Sequence, residues 1–364
     1  MIIGIDGNEA NVKKRVGVGQ YAYNTLLELH KLNTKDQFYI YLKKNPHRDM
    51  PQANKNWQYI VIGPKILWTK IALPFKLFTQ KIKLDLFFSL AHYSPMFSPV
   101  PTIPTIHDLG YLAYSKQFNK KDLYQLTQWT KKSIKKATRI VSVSQFTKNE
   151  ILKTYNYPKN KIFVAYNGVG TSLNIPSRIA LKILEKFKIE KPYFLYLGTL
   201  KPNKNIPFII KAMPKFPNFK LVIAGKKGWL YDDIFKLVAD LKLENRVIFT
   251  DFINESEKWA LYQHATALTI PSLYEGFGIP AIEAQICNLP VIASSIPVYK
   301  EILGESAILI NPKNKEELVA ALKNVQQEPL RSKLIKAGQK NAAKFTWTNT
   351  AKSILKCFYD TKNN

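Results

Sequence analysis

Short apolar runs alternate with amphipathic helical segments along the chain, and this alternation limits the fold more than any other feature of the sequence. The first half contains the runs MIIGID, QFYIYL and TIPTI, and the second half contains PYFLYL, KLVIA and VIFT. Parallel strands need long crossover connections, which are usually helices, so this alternation is typical of parallel sheets. The sequence therefore predicts an α/β fold with two successive Rossmann-like, doubly wound parallel sheets.

A polar stretch with a proline, TSLNIPSR at 171–178, separates the two sets of strands. A chain of 364 residues is long enough for two domains that each bury a core of their own. We therefore place an N-terminal Rossmann-like domain at 1–180 and a C-terminal Rossmann-like domain at 181–345. The remaining segment, 346–364, is predicted to form an amphipathic helix with Thr348 or Asn349 near its N-terminal cap.

The stretch from Pro271 to Ala293 carries two carboxylates, Glu275 and Glu283. A strand that ends near Ile270 leads into a glycine-flanked loop, and a helix is predicted to begin near Ile279. The free N–H groups and the positive dipole end of such a helix favour a phosphate group. Since carboxylates repel phosphate, sugar hydroxyls are the expected partners of the two glutamates. This combination predicts a nucleotide-sugar site.

Two features mark the ends of strands in the N-terminal half. Gly17 and Gly19 lie where a loop enters a helix, so the backbone could approach a phosphate there, although a tight turn explains them equally well. His107 follows the short apolar strand Ile103–Ile106. Ligands of open parallel sheets bind beyond the carboxyl ends of the strands. His107 is therefore a candidate site residue, whereas a core or surface role is the usual one for a histidine.

The chain carries a net charge of +28, and the excess is heavier near the N-terminus. Residues 1–185 hold 28 basic and 10 acidic side chains, and the remainder holds 26 and 16. Such a surface attracts anionic lipid headgroups and nucleic acid, or is simply solvated. No basic-aromatic recognition motif accompanies the charge, which argues against nucleic acid. Peripheral contact with an anionic membrane is the partner that this charge favours.

One candidate for that contact is the segment 66–90, which interleaves leucine, isoleucine and aromatic residues with lysines. The pattern fits an interfacial amphipathic stretch, and it fits equally well a helix interrupted by Pro74 with its apolar face in the core. No apolar run reaches the roughly 18 residues of a transmembrane helix. The N-terminus lacks the pattern of a signal peptide, and two unclustered cysteines indicate a reducing compartment. We expect a cytoplasmic protein, peripheral on the inner face of the cytoplasmic membrane.

Several longer strings together identify a family. The chain resembles the family-4, GT-B-type retaining glycosyltransferases in VGVGQYAYNTL, TIPTIHDL, RIVSVSQFTKNEI, FLYLGTLKPNKNIPFIIKA and PSLYEGFGIPAIEAQICNLPVIAS, with FTWTNTAKSIL near the end. The strings cover nearly the whole chain in the order of the family. The resemblance implies two Rossmann-like domains that face a central cleft, an acceptor-binding domain at 1–180, a nucleotide-sugar donor domain at 181–345, and a helix at 346–364 that returns to the N-terminal domain.

The resemblance also implies which residues bind the donor phosphates. Gly17 matches a glycine whose backbone approaches the phosphates, and Gly198, Thr199 and Lys204 match the loop that binds the diphosphate. Lys204 would supply positive charge to the leaving nucleoside diphosphate, since stabilising that charge is the main electrostatic task of the reaction. Asn203 stands where many members of the family carry arginine, and Thr199 stands where some members carry another. The phosphate charge is therefore expected to rest on Lys204 and on helix dipoles.

The sugar and the nucleoside are assigned in the same way. Glu275 would hold hydroxyls of the donor sugar, and Glu283 would hold the ribose. The backbone around Ile253 would lie along the base, and His107 would reach the donor sugar from the other domain. The family pattern further places the amides of three residues near the sugar and phosphate: Gly276, Phe277 and Gly278. His107, Glu275 and Lys204 are the expected catalytic residues.

Two departures from the family pattern affect the turns of the donor domain. Asn288 replaces a common glycine after the helix that carries Glu283, and Asp251 replaces a frequent glycine near the base. Asparagine tolerates the left-handed conformation better than most residues, so the turn at Asn288 is expected to survive.

The implied activity is retaining transfer of a hexose from a nucleoside-diphosphate sugar to a hydroxyl of a lipid-linked or growing glycan, with mannose from GDP-mannose as the first choice. No Asp-x-Asp motif or histidine cluster with ligand spacing accompanies the phosphate loops, so neither a metal ion nor another cofactor is expected. Two alternatives remain open: a nucleotide-sugar epimerase on the same scaffold, and a catalytically silent basic protein that binds nucleic acid or membrane.

Overall fold

The computed structural model describes residues 1–32, 35–170 and 174–363. The chain divides into one compact unit of Met1–Gly168 with Thr346–Asn364, and a second unit of Val169–Phe345. The expected boundary at 180 falls inside helix α6 (Ser177–Lys186), which belongs to the second unit because it packs against helix α9 (Glu255–His264). Residues 171–173 of the predicted linker lie outside the described residues.

The first unit is built on a parallel sheet of seven strands within the described ranges, in the order β3-β2-β1-β4-β5-β6-β7. The central strands β4 and β5 are buried at every residue, as expected for strands covered on both faces. The strands are β1 (Ile2–Asp6), β2 (Gln37–Leu42), β3 (Trp57–Val61), β4 (Leu86–Ser89), β5 (Thr102–Ile106), β6 (Ile140–Ser142) and β7 (Ile162–Val164).

Helices cover this sheet and end where the sequence provides caps. Ser144 caps the helix that follows β6, because its side chain accepts a hydrogen bond from the N–H of Thr147. The helices of the first unit are α1 (Val18–Leu32), α2 (Ala72–Thr79), α3 (Gly110–Ala113), α4 (Lys120–Lys136), α5 (Gln145–Tyr155) and α14 (Trp347–Lys362).

The structure supports both predicted roles of the lysine-rich segment 66–90, a helix with its apolar face in the core and an interfacial amphipathic stretch. Trp68, Leu73 and Leu77 are buried in a core cluster, whereas Phe75 and Phe78 are 70% and 61% exposed. Pro74 does not interrupt the helix, since it lies in the first turn of α2, where its missing N–H is not needed. The segment therefore contributes to the core and also presents large apolar side chains to solvent.

Helix α14 packs against α1 and β7 of the first unit, although it follows the whole second unit in sequence. Its cap is Thr346, whose side chain accepts a hydrogen bond from the N–H of Asn349, rather than Thr348 or Asn349. Thr348 instead donates to Glu28 of α1 at 2.8 Å. Both residues thus lie near the cap, as predicted, and Thr348 lies on the face that meets α1, so its hydroxyl bonds across the helix pair.

The second unit contains a parallel sheet of six strands among the described residues, in the order β10-β9-β8-β11-β12-β13. Its strands are β8 (Tyr193–Leu197), β9 (Lys220–Ala224), β10 (Val247–Asp251), β11 (Ala267–Ile270), β12 (Val291–Ser294) and β13 (Ile308–Ile310). Besides α6 and α9, its helices are α7 (Ile206–Ile210), α8 (Asp232–Asp240), α10 (Ile279–Ile286), α11 (Pro297–Ile302), α12 (Lys315–Asn324) and α13 (Leu330–Ala342). Both sheets are parallel with helical crossovers, so the predicted fold class is confirmed.

Candidate functional site

The loop between β11 and α10 holds Glu275, and α10 begins at Ile279 as the sequence predicts. Gly278 precedes the helix with φ = 105°, a conformation that side chains rarely adopt. A Cβ at Gly278 would also lie 2.5 Å from a ring carbon of Tyr299. Glycine is therefore required here both by the backbone and by the ring that packs against it.

Three side chains converge on one carboxylate oxygen of Glu275. Lys204 forms an ion pair with Oε1, and the Ser272 hydroxyl donates to the same oxygen at 2.8 Å. The hydroxyl of Tyr299 approaches Oε1 at 3.4 Å, and burial together with the charge of Glu275 raises the pKa of this phenol far above its usual range. The carboxylate is therefore fixed through Oε1.

Lys204 reaches Glu275 because the two loops are joined by backbone contacts. Lys204 ends a short 3₁₀ turn after β8, and the carbonyl of Asn203 accepts a hydrogen bond from the N–H of Leu273 at 2.8 Å. The side-chain amide of Asn203 donates to the carbonyl of Tyr274 at 3.2 Å. Asn203 thus holds the loop after β8 against the loop that carries Glu275.

The start of the loop after β8 depends on a close approach of two backbones. Gly198 and Thr199 follow β8, and the N–H of Gly198 donates to the carbonyl of Ala224 at 2.9 Å. A Cβ on Gly225, the next residue of that strand end, would lie 2.0 Å from the carbonyl oxygen of Gly198. The missing side chain at Gly225 therefore allows the loops after β8 and β9 to pack together.

Glu283 lies in α10 with both carboxylate oxygens engaged by α9. Lys258 donates to Oε1 at 2.6 Å, and the hydroxyl of Tyr262 donates to Oε2 at 3.0 Å. Burial opposes the charge of Lys258, yet the carboxylates of Glu283 and Glu255 together raise its pKa. Lys258 and Tyr262 were not predicted from the sequence, although their i, i+4 spacing places them on one face of α9.

The remaining predicted residues of the second unit have distinct environments. Ile253 follows β10 and is half-buried, and the preceding Asp251 has φ = 55°, the conformation that glycine adopts readily. Asn288 has φ = 57°, which confirms that the left-handed turn survives the replacement of glycine. Gly276 and Phe277 are buried, and the Phe277 ring packs edge-on against Phe345 at 5.5 Å. The side chain of Phe277 is thus part of the core, so only its backbone is available to a ligand.

His107 belongs to the first unit, at the carboxyl end of β5. Its Nε2 lies 2.9 Å from the carbonyl oxygen of Leu90, so Nε2 carries the proton and Nδ1 is left as an acceptor. Burial and the neighbouring His92 lower the pKa of His107 to about 4. His107 is therefore neutral at pH 7, which suits it to accept a hydrogen bond from a hydroxyl.

Two neighbours of His107 at this sheet edge were not predicted. The ring of His92, which follows β4, lies 5.6 Å from the ring of His107, and burial lowers its pKa as well. Asp6 ends β1, and burial raises the pKa of its carboxyl to about 6 although Asn8 donates to it. Gly17 lies just before α1 with φ = 46°. The pairing of β4 with β5 brings His92 to His107, and this strand order could not be deduced from their positions in the sequence.

Two features are absent from the described parts of the chain, 1–32, 35–170 and 174–363: a cluster of metal ligands and a membrane-spanning helix. The acidic, histidine and cysteine side chains of these parts include no group of three that could hold a metal ion. No helix in those ranges is long and apolar enough to cross a membrane.

Comparison with known proteins places these features in a family. Residues 181–341 match the family model of group 1 glycosyl transferases, and residues 16–173 match the model of glycosyltransferase family 4. The chain is 35% identical over 226 residues to the O-antigen chain mannosyltransferase RfbU of Salmonella typhimurium. It is 27% identical over 265 residues to the O-antigen chain mannosyltransferase B of Escherichia coli.

The matched regions cover 62% and 70% of this chain, and they span 61% and 69% of the length of the two relatives. The fold is also that of HepE from Anabaena, solved in complex with UDP-glucose, with a TM-score of 0.77 and 17% identity over 99% of both chains. The two family models together account for both units of the structure. The chain belongs to the group 1, family-4 glycosyltransferases of GT-B fold.

Proposed function

We propose that the protein transfers a hexose from a nucleoside-diphosphate sugar to a hydroxyl of a lipid-linked or growing glycan, with retention at the anomeric carbon and without a metal ion. The observation that carries this proposal is the Lys204–Glu275 ion pair, held between the phosphate loop and the start of α10. It sets a cation and a carboxylate side by side at a helix N-terminus. That arrangement suits a ligand with both phosphate and hydroxyl groups.

The phosphates are assigned to Lys204 and to the backbone of the loop at Gly198 and Thr199. An ammonium group has three donors, so Lys204 can contact a phosphate oxygen while it still holds Glu275. In the first unit, Gly17 is the position proposed to approach the phosphates through its backbone. The positive end of the α10 dipole and the amides of Gly276 to Gly278 add to the stabilisation of negative charge on the leaving group.

The hydroxyls are assigned to the two glutamates. Glu275, fixed through Oε1, offers Oε2 to the donor sugar. Glu283 already accepts from Lys258 and Tyr262, but a carboxylate has about four lone-pair sites, so it retains capacity for a ribose hydroxyl. The backbone around Ile253 is proposed to lie along the base. His107, neutral and with a free acceptor nitrogen, is proposed to contact a sugar hydroxyl.

The proposed transfer needs no nucleophile from the protein. The bond from the anomeric carbon to the phosphate oxygen breaks, and its electron pair stays on the diphosphate that Lys204 stabilises. The acceptor oxygen attacks the same face of the sugar, and its proton passes to the departing phosphate oxygen. This route retains the anomeric configuration.

GDP-mannose is the donor proposed, since the two curated relatives are named as mannosyltransferases. A UDP-hexose is the next candidate, because HepE was solved with UDP-glucose on the same fold. A thermal-shift panel of nucleoside diphosphates and their sugars, measured with and without EDTA, tests the donor and the metal together. Preferential stabilisation by GDP and GDP-mannose that survives EDTA is expected. Stabilisation by no nucleotide would overturn the proposed function, and isomerisation of the donor without acceptor would indicate an epimerase.

We also propose that the protein is cytoplasmic and contacts the inner face of the cytoplasmic membrane. The support is the segment 65–83, which has five lysines and no acidic residue. Large apolar side chains project from it into solvent: Ile66 is 80% exposed, Ile71 55% and Phe75 70%. Cationic surfaces with exposed aromatic and aliphatic groups favour the headgroup region of anionic membranes. Sedimentation with anionic and with neutral vesicles tests this contact, and equal binding that is insensitive to salt would contradict it.

A further inference from the structure

A groove in the first unit is separate from the residues assigned to the donor. It lies between the turn before α2, the segment after β4 and the C-terminal half of α4. Three lysines line it, Lys70, Lys132 and Lys136, together with aromatic and hydroxyl side chains. None of its ten described lining residues is acidic. The groove is therefore a concave cationic site.

Two of the three ammonium groups are held in place by neighbouring groups. The Nζ atom of Lys70 lies 3.8 Å from the ring centroid of Trp129, and that of Lys136 donates to the carbonyl of Met96 at 2.9 Å. Lys132 lies one turn before Lys136 on the same face of α4. An ammonium group has three N–H donors, so Lys136 keeps two for a ligand while it holds Met96. Positioned cations of this kind favour an oxyanion.

A serine hydroxyl in the groove lacks a partner. Ser94 is 7% exposed, and its Oγ has no hydrogen-bond partner among the described residues, although its N–H donates to the Ser133 hydroxyl at 3.0 Å. A buried hydroxyl without a partner is costly, and an acceptor oxygen of a ligand would satisfy it. The lysines and Ser94 thus point to the same ligand chemistry, a phosphate oxygen.

The rim of the groove is apolar and exposed. Ile71 is 55% exposed and Phe97 is 58% exposed, and they flank the lysines on the turn before α2 and on the segment after β4. The N–H of Met96 donates to the carbonyl of Thr69 at 3.2 Å, which joins these two segments. An apolar chain attached to the phosphate could therefore leave the groove along this rim.

A row of rings connects the groove to His107. The ring centroids of His107 and His92 are 5.6 Å apart, and those of His92 and Tyr93 are 6.4 Å apart. The next contact, from Tyr93 to Trp129, is 5.3 Å and reaches the groove. A continuous series of ring contacts therefore joins the groove to the sheet edge that holds His107.

From these contacts we infer that the groove binds a phosphate or diphosphate ester carried on an apolar chain, and that this is the anionic linkage of a lipid-linked glycan acceptor. The inference rests on the proposed function and names the acceptor class for it. A lone phosphate would leave the apolar rim unused, and a neutral glycan would leave the lysines and Ser94 without partners.

Binding of farnesyl diphosphate to the full chain in neutral detergent micelles tests the groove, with farnesol and inorganic pyrophosphate as the two half-ligands. The test variant is Lys132→Gln with Lys136→Gln, and the matched control is Lys131→Gln with Lys135→Gln. Both pairs remove two charges from α4, but only the first lines the groove. We expect the first pair to weaken binding on the order of tenfold or more and the control to change it less than about twofold.

Ser94→Ala is a second test that leaves the net charge unchanged, and we expect it to weaken binding about fivefold. Equal losses in the two lysine pairs, or equal affinities for farnesol and farnesyl diphosphate, would overturn the inference. Micelles that contain phosphatidylglycerol distinguish the source: competition by this lipid at equal phosphate concentration would assign the groove to bulk phospholipid instead. The thermal shift with GDP-mannose distinguishes the two ways in which the inference could fail. If only the groove is misassigned, GDP-mannose still stabilises the wild type and the same variants. If the proposed function itself is wrong, GDP-mannose does not stabilise even the wild type.

Discussion

Lys258 Nζ lies 2.6 Å from Oε1 of Glu283, and the two side chains are only 14% and 10% exposed. Removing one partner of a buried ion pair leaves the other charge without compensation. Lys258→Ala is therefore expected to lower the free energy of unfolding by about 3 kcal/mol. Urea unfolding at pH 7.5 is the measurement.

A matched pair in the same unit supplies the control for this prediction. Lys186 Nζ also lies 2.6 Å from a carboxylate, that of Glu257, but its side chain is 61% exposed. Lys186→Ala should lower the free energy of unfolding by only about 1 kcal/mol, because solvent screens its exposed ammonium group and the buried Glu257 still accepts from the N–H of Asn254. Equal losses in the two variants would mean that the burial of Lys258 does not determine its contribution.

Lys204→Ala is expected to lower kcat on the order of 100-fold, because it removes the cation proposed to stabilise the leaving diphosphate. Lys201→Ala is the control, since Lys201 lies on the same loop with its Nζ 4.0 Å from the Trp229 ring centroid. Initial rates with a saturating donor separate the two. A similar loss in both variants would show that general positive charge, rather than the position of Lys204, is responsible.

His107 gives the stability of the first unit a defined dependence on pH. Its pKa is about 4 in the folded chain and 6.5 ordinarily, so the unfolded chain binds the proton first as the pH falls. Its stabilising contribution is complete above pH 6.5 and is lost as the pH falls toward 4. Between pH 7.5 and pH 5 the wild type should lose about 2 kcal/mol more than His107→Gln.

Glutamine can still donate to the carbonyl of Leu90, so His107→Gln removes the titration with little change in packing. The comparison also cancels the contribution of Asp6, whose raised pKa of about 6 acts in the opposite direction. Urea unfolding across this pH range checks the prediction. Parallel curves for wild type and variant would show that His107 titrates with its ordinary pKa.

Phe75→Ser is expected to weaken binding to anionic vesicles by roughly tenfold without lowering the melting temperature, because the ring is 70% exposed. Leu230→Ser is the control, a side chain of similar exposure at 64% in the second unit. Vesicle sedimentation measures both. An equal reduction would show that the segment around α2 has no special part in membrane contact.

The sequence was informative about local structure and much less so about side-chain partners. The strand–helix alternation predicted the two sheets, and the glycine-flanked loop after Ile270 predicted the start of α10 at Ile279. The cap that Ser144 provides is equally local, because capping depends on residues within one turn. These are all local effects.

The partners of Glu275 and Glu283 depend instead on strand order and packing. Lys204 lies 71 positions from Glu275, and Lys258 lies 25 positions from Glu283. His92 meets His107 only because β4 and β5 are neighbours. No pattern within a single element contains that information, so these contacts could not be predicted from the sequence.

Gly278→Ala is expected to reduce both stability and turnover, because Gly278 allows a backbone conformation with positive φ and also packs against Tyr299 near Glu275. At φ = 105° an alanine is strained, and its Cβ would lie 2.5 Å from the ring of Tyr299. That ring must move, and its hydroxyl approaches Oε1 of Glu275 at 3.4 Å. We expect a loss of about 3 kcal/mol in the free energy of unfolding and a fall in kcat on the order of tenfold.

Gly304→Ala separates the two causes, since Gly304 also has positive φ, at 49°, but a Cβ there meets nothing within 4 Å. Gly304→Ala should lower the free energy of unfolding by about 1 kcal/mol and leave kcat unchanged. Tyr299→Phe is the complementary variant, because it keeps the ring and removes only the hydroxyl. If Gly278→Ala lost stability but kept full turnover, Tyr299 would support α10 without positioning Glu275, and the carboxylate would be held by Lys204 and Ser272 alone.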